Sequence, residues 1–258
     1  MPIIQSVDRA LAILNLFDEY SPELKITEIS DRMHLNKSTI HSLLKTLQKH
    51  HYIEQNTENG KYRLGMKLFE RGNIVIHNLD IRTTAKRHLI DLSMKTGHTI
   101  NLVILDGKEG VYIDKVEGSS GTILYSRIGR RIPVHCSAVG KVLVAFKKEE
   151  ELNRILESYD YIKQPPNTIT NEKAFREELD QVKRQGYGYE KEENEPGVCC
   201  FAVPVKDHMN QVIAAISLSM PSARLHMEDE ETIVAQLKMT GDQISAQMGH
   251  NHSSFKRF

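Results

Sequence analysis

The chain has little of what several functional classes require. Its 258 residues include three cysteines, Cys136, Cys199 and Cys200, two of them adjacent. Neither a disulfide framework nor a CxxC zinc or redox motif can be built from that set, and a reducing compartment fits it. Excess charge is missing as well: Lys plus Arg and Asp plus Glu are both 34, for a formal net charge of +0. The whole chain is therefore no basic coat for nucleic acid, and any DNA contact has to come from a local patch. Apolar runs are short, the five residues of Val212 to Ile216 being an example, against roughly 20 for a bilayer span. The first apolar segment contains Asp8 and Arg9, and no small-residue cleavage site follows. A secretory signal is thus not expected, and the expected location is the cytoplasm, with no membrane partner.

What is present describes a folding chain. Apolar residues make up 40% and charged residues 26%, with mean hydropathy -0.42, a composition that supports a packed core and argues against disorder. At roughly 150 residues per domain, two domains are expected.

The first part of the chain reads as helices followed by a hairpin. From Gln5 to Tyr20, Val7, Leu11, Leu14 and Phe17 recur at helical spacing. Ser21-Pro22 breaks that helix, and Thr27 is a cap for a second one through Met33. After Leu35, Asn36 suits the N-cap of a third helix, in which Ile40, Leu43, Leu44 and Leu47 fall on one face. The opposite face holds Lys37, Ser38, Thr39, His41, Ser42, Lys45 and Lys49, and no acidic residue occurs from Arg32 to His51. Tyr52-Ile53 and Tyr62-Leu64 then flank a loop ending in Asn59-Gly60, a hairpin signal, with Lys61 and Arg63 on the return strand. Three helices and a hairpin make a winged helix-turn-helix. Its third helix suits the major groove, polar residues at that helix's start suit base edges, and a basic wing suits phosphate.

A helix is expected from Met66 to about Leu79, burying Leu68, Phe69, Ile76 and Leu79. A second, capped by Asp80 and buried through Ile81, Ala85, Leu89 and Leu92, is expected to end at Gly97. From His98 the pattern turns to strands: Ile100–Leu105, Val111–Val116, Thr122–Ile128, Cys200–Val205 and Val212–Met220. Helices are expected between and after them, over Ser137–Phe146, Glu149–Ser158, Asn171–Arg184 with Thr170 as cap and Gly186 as stop, and Glu228–Met248. Such an order suggests an α+β domain around an antiparallel sheet. The expected division is 1–78 for the DNA-binding domain and 79–258 for the second. Within the latter, Ser217 and Ser219 at i and i+2 share one face of an otherwise apolar strand, a costly arrangement unless hydrogen bonds satisfy them.

The segments QSVDRALAILNLF, NKSTIHSLLKTL and YRLGMKLFERG, with IGRRIPVHCSAVGKVLVAF, ENEPGVCCFAVPV and AAISLSMP in the second half, resemble the IclR family of bacterial transcription regulators. The likeness covers nearly the whole chain. It implies a winged helix-turn-helix domain, a linking helix and a GAF-like effector-binding and oligomerisation domain. The assembly it implies is a homodimer or homotetramer on double-stranded operator DNA, modulated as a repressor by a small metabolite, often a carboxylate. It also implies an effector pocket with an apolar wall at Leu124 and Ile132, backbone amides at Ala138 and Val139, and polar groups at Glu190, Cys200, Ser217 and Ser219. Two departures stand out. Ser42 occupies a position where the family commonly has Arg, and Glu190 one where it often has Asp. The first removes a bidentate guanine contact and shifts the expected operator preference.

Other classes fit less well. An enzyme would use Cys199 or Cys200 as nucleophile with His135 or His208 as base, but no third residue orders them. No catalytic residue, metal site or cofactor is expected. His250-x-His252, and His135 beside Cys136, are weak as metal ligands.

Overall fold

The computed structural model describes residues 3–18, 20–77, 80–119, 126–162 and 165–250. The chain splits into two compact units, Met1–Asn78 and Leu79–Phe258.

In the first unit, α1 (Gln5–Leu14), α2 (Ile26–Met33) and α3 (Lys37–Lys49) are followed by a two-stranded hairpin, β1 (Ile53–Gln55) and β2 (Tyr62–Leu64), and by α4 (Met66–His77). Their shared core is Ile13, Phe17, Leu24, Ile29, Ile40, Leu44, Leu47, Ile53 and Tyr62. Leu24 exchanges backbone hydrogen bonds with Tyr62 in both directions, at 2.9 and 2.8 Å, tying the hairpin to the segment before α2.

Several local expectations need correction. The first helix ends at Leu14 rather than Tyr20, and its buried face runs through Ile13 while Val7 and Leu11 stand more than half exposed. Thr27 lies inside α2. The cap there is Lys25, whose N–H donates to Glu28 Oε2 at 2.6 Å, so a carboxylate reaching back replaces a hydroxyl reaching forward. Asn36 holds the N-cap position of α3 without a side-chain cap bond. Phe69 on α4 is 69% exposed and Leu68 half-buried. The side chains of Ile76, Leu79 and Asp80 lie outside the described residues.

The second unit is built on a six-stranded antiparallel sheet of order β5-β4-β3-β8-β7-β6. Its strands are β3 (Thr99–Asp106), β4 (Glu109–Val116), β5 (Arg131–Pro133), β6 (Gly188–Lys191), β7 (Val198–Lys206) and β8 (Val212–Pro221). The two-residue period of the central strands sends Phe201, Val203, Ile216 and Leu218 to one face. There they meet Ala85, Leu89 and Leu92 of α5 (Asp80–Thr96) and Ile233, Leu237 and Ile244 of α9 (Glu230–Gln247). Ala202 and Ala215 turn to the other face, against α6 (Ala138–Ala145), α7 (Glu149–Leu156) and α8 (Glu172–Gln185).

Here too the corrections are local. Of the expected strand Thr122–Ile128, residues 120–125 lie outside the described ones and Ser126–Ile128 are not strand. The strand pairing β4 is Arg131–Pro133. Asn171, not Thr170, caps α8, accepting the Ala174 N–H at 2.9 Å. Strand β6, four residues long, carried too little periodicity to be expected. Among the described residues no helix is long and apolar enough to cross a membrane.

Candidate functional site

Two surfaces bring the expected residues together. On the first, His34 closes α2 in the left-handed conformation (φ 52°), and Ser30 Oγ donates to Leu35 O at 2.6 Å, which fixes the turn into α3. Because Ile40, Leu44 and Leu47 are buried, Lys37, Ser38, His41, Ser42 and Lys45 are exposed on the outward face and Thr39 is half-buried. Ser42 Oγ donates back to Ser38 O at 3.1 Å. The wing is less basic than its sequence. Arg63 pairs with Glu54 at 3.0 Å, Lys61 is half-buried, and Glu23 accepts from Asn56 and Asn59 across the loop. Those two amides hold the Glu23 carboxyl below the usual range. The residue that reads basic in isolation is thus partly neutralised by acids brought from elsewhere in the unit.

The second surface is a small cavity, about 30 Å³, on the helix α6 face of the sheet. Ile132, Ala138, Val139, Glu190, Cys200, Ser217 and Ser219 all line it. Leu124 lies outside the described residues. Tyr112, Ser126, Ser137, Asn194, Glu195 and Val198 complete the lining and were missed in the sequence, because they come from turns and from strand positions with no polar pattern of their own.

The start of α6 forms one wall. Ser137 Oγ accepts the Gly140 N–H at 3.2 Å and Ser137 O accepts that of Lys141 at 2.9 Å. The amides of Ala138 and Val139 therefore precede any intrahelical partner, an arrangement that favours an anion. A Cβ at Gly140 would sit 2.3 Å from Val134 Cα, and one at Gly188 2.6 Å from Ala138 O. These two glycines let the helix start approach the strands that carry the rest of the lining.

The sheet forms the opposite wall. Asn101 on β3, which stands opposite Ser217, donates through Nδ2 to Ser217 Oγ (3.3 Å) and Ser219 Oγ (3.2 Å). The cost of placing two hydroxyls on an apolar strand is thus met in part inside the sheet. Asn101 Oδ1 remains buried without a partner. Cys200 Sγ donates to Ser219 Oγ at 3.2 Å. Glu190, 2% exposed, accepts the Glu193 N–H at 3.0 Å, and burial pushes its carboxyl up to about 7. Burial, with Glu190 adding to it, raises the Cys200 thiol well above its ordinary range. The thiol keeps its proton near neutrality, as a hydrogen-bond donor rather than a nucleophile, and the Glu190 carboxyl is poised between its protonated and ionised forms there.

Among the described residues, His135 is engaged away from both candidate cysteines. His135 uses Nδ1 on Tyr159 OH (3.1 Å) and Nε2 on Ile162 O (3.2 Å), and Cys199 lies in the core on the opposite sheet face. Among the described residues no group of three or more His, Cys, Asp or Glu side chains is arranged to hold a metal ion.

A helix-turn-helix with a small wing, joined to an α+β unit with a polar-lined cavity, defines a DNA-binding regulator of the ligand-responsive kind. Comparison with known proteins places it. Residues 6–57 match the IclR helix-turn-helix domain and residues 73–246 the bacterial transcriptional regulator IclR C-terminal domain. The chain belongs to the IclR family of transcriptional regulators, which are not enzymes. It is 55% identical to the HTH-type transcriptional regulator XynR of Escherichia coli, over 97% of this chain and 99% of that one. It is 34% identical to the DNA-binding transcriptional repressor YiaJ of Escherichia coli, over 95% and 88%. A crystal structure of an IclR homolog complexed with 4-hydroxybenzoate, from Microbacterium hydrocarbonoxydans, superposes with a TM-score of 0.80 at 25% identity, covering 94% of this chain and 98% of that one.

Proposed function

We propose that this protein is a cytoplasmic repressor that binds operator DNA as a homodimer or homotetramer and is released or retained by a small carboxylate in the cavity. The observation that carries the ligand half is the convergence of Ala138, Val139, Glu190, Cys200, Ser217 and Ser219 on one cavity, with helix-start amides facing hydroxyl and acid groups. An anion at the amides gains from the helix dipole. Glu190, raised by burial, then donates to that ligand instead of repelling it. The carboxylate in the 4-hydroxybenzoate complex of a homologue supports this chemistry. The repressor assignment is supported by the 34% identity to YiaJ.

For the DNA half, Lys37, Ser38, Thr39, His41, Ser42 and Lys45 of α3 face the major groove, and Lys61 and Arg63 of the wing face phosphate. One recognition helix reads too few base pairs alone, so two copies on half-sites a helical turn apart supply the specificity. A thermal-shift screen of small carboxylates, 4-hydroxybenzoate included, against their amide analogues tests the ligand class. Stabilisation by acids and not by amides supports it, and stabilisation by amides alone rejects it.

A further inference from the structure

Lys141 lies in the middle of α6, is 0% exposed, and is absent from the cavity lining. A buried ammonium is expensive unless every proton finds an acceptor. Here all three do: Glu193 Oε1 at 2.6 Å, Tyr189 O at 2.9 Å and Glu178 Oε1 at 3.0 Å. Tyr189 and Glu193 bracket Glu190 in the chain, and Glu193 precedes Asn194 and Glu195, which line the cavity. Glu193 is held at three points: its N–H donates to Glu190 Oε2, its carbonyl accepts from Thr168 Oγ1 at 2.6 Å, and one carboxylate oxygen takes the lysine. The other oxygen, Oε2, is buried without a partner. The preceding Glu192 sits at φ 56°, a left-handed conformation unfavourable for a residue with a Cβ. A segment with such a backbone, carrying a half-satisfied buried carboxylate, depends on its outside ties.

We propose that Lys141 is the positioning residue of the cavity: through Glu193 it holds the 193–195 wall in place and fixes the carboxyl of Glu190 toward the ligand. The lysine itself touches no ligand, since its protons are all engaged. The residue acts on recognition only by setting the wall. This inference rests on the cavity being the ligand site, but its test is read without ligand, so either can fail while the other stands.

Cys136 supplies the readout. Its buried thiol donates to Asn194 Oδ1 at 3.6 Å, so it reports on the 193–195 wall, while Cys199 lies in the core of the opposite sheet face and reports on global opening. Alkylation of the full chain by iodoacetamide is followed at each cysteine by peptide fragmentation. In Lys141→Met and Glu193→Ala, Cys136 is expected to react about tenfold faster or more, the change that loss of one charged hydrogen bond gives to a local opening equilibrium. Cys199 is expected to keep its original rate, and Glu193→Gln, which retains an acceptor for the ammonium, to restore slow reaction at Cys136. Unchanged Cys136 reactivity in Glu193→Ala, or acceleration of Cys136 and Cys199 together, overturns the proposal. If Lys141→Met does not fold, the two Glu193 variants decide it alone.

Discussion

Glu190 stands directly opposite Cys200 across the β6–β7 ladder, and both side chains enter the same cavity. Two weak acids share one desolvated space, with opposite effects on each other: Glu190 adds to the burial that raises the Cys200 thiol, whereas the hydrogen bond from Cys200 lowers the Glu190 carboxyl against the larger effect of its burial. For Glu190 the result is a carboxyl moved from the usual 4.5 to about 7.

That shift has a stability consequence. Between the two values the folded chain keeps a proton that the unfolded chain has lost, so stability is full below about 4.5 and falls as pH rises through about 7. Above that window the loss from this one group is about 3 kcal/mol. Glu190→Gln, which mimics the protonated acid, should raise stability at pH 8 by an amount of that order and leave it nearly unchanged at pH 4. Urea unfolding of both forms at the two pH values checks this; an equal effect at both would show that Glu190 titrates normally.

Ser217 and Ser219 present hydroxyls to the cavity while accepting from Asn101. If each donates its own proton to a ligand carboxylate, Ser217→Ala or Ser219→Ala should weaken binding by roughly tenfold to a hundredfold, the cost of one hydrogen bond to a charged group. Calorimetric titration with an acid found in the carboxylate screen measures it. Unchanged affinity in both variants removes these serines from the site.

The approach of α6 to the strands depends on Gly140, where a Cβ would meet Val134 Cα at 2.3 Å. Backbone cannot yield as a flexible side chain does. Gly140→Ala should therefore destabilise the second unit by about 1–3 kcal/mol despite the better helix propensity of alanine. A melting temperature equal to or above that of the original chain would contradict this account of the helix start.

Much of this was legible because it is periodic. Ile40, Leu44 and Leu47 on α3 recur at helical spacing, and Ile216 and Leu218 alternate with Ser217 and Ser219 on β8, so both elements and their faces could be read from one dimension. Ends were less legible. The cap of α2 is made by Glu28 reaching back to Lys25, a pairing that competes with Thr27 as a hydroxyl cap and wins without altering the hydrophobic pattern. Short elements such as β6 carry too few residues for a period. The ties that complete the cavity were hidden for another reason. Asn101 lies 116 residues from Ser217, and Lys141 lies 52 from Glu193. Only the sheet order and the fold of α6 against β6 bring them together.

On the DNA side, Lys37 is exposed at the start of α3 and Arg63 is engaged with Glu54. Lys37→Ala should cost about 1–3 kcal/mol on a specific duplex if a base contact is lost, and less on random duplex. Arg63→Ala should cost less than Lys37→Ala, because its charge is already partly spent within the wing. Fluorescence anisotropy on both duplexes over a salt series separates the two, and equal losses on specific and random DNA would assign Lys37 to phosphate alone.

Selection of bound duplexes from a random pool by the full chain, followed by sequencing, tests the central claim of sequence-specific DNA binding most directly. The expected result is an enriched, two-fold symmetric motif with half-sites about one helical turn apart or a multiple of it, lost when Lys37 and Thr39 are both replaced by alanine. A pool that emerges without an enriched motif, or one whose motif is unchanged by those replacements, would contradict it.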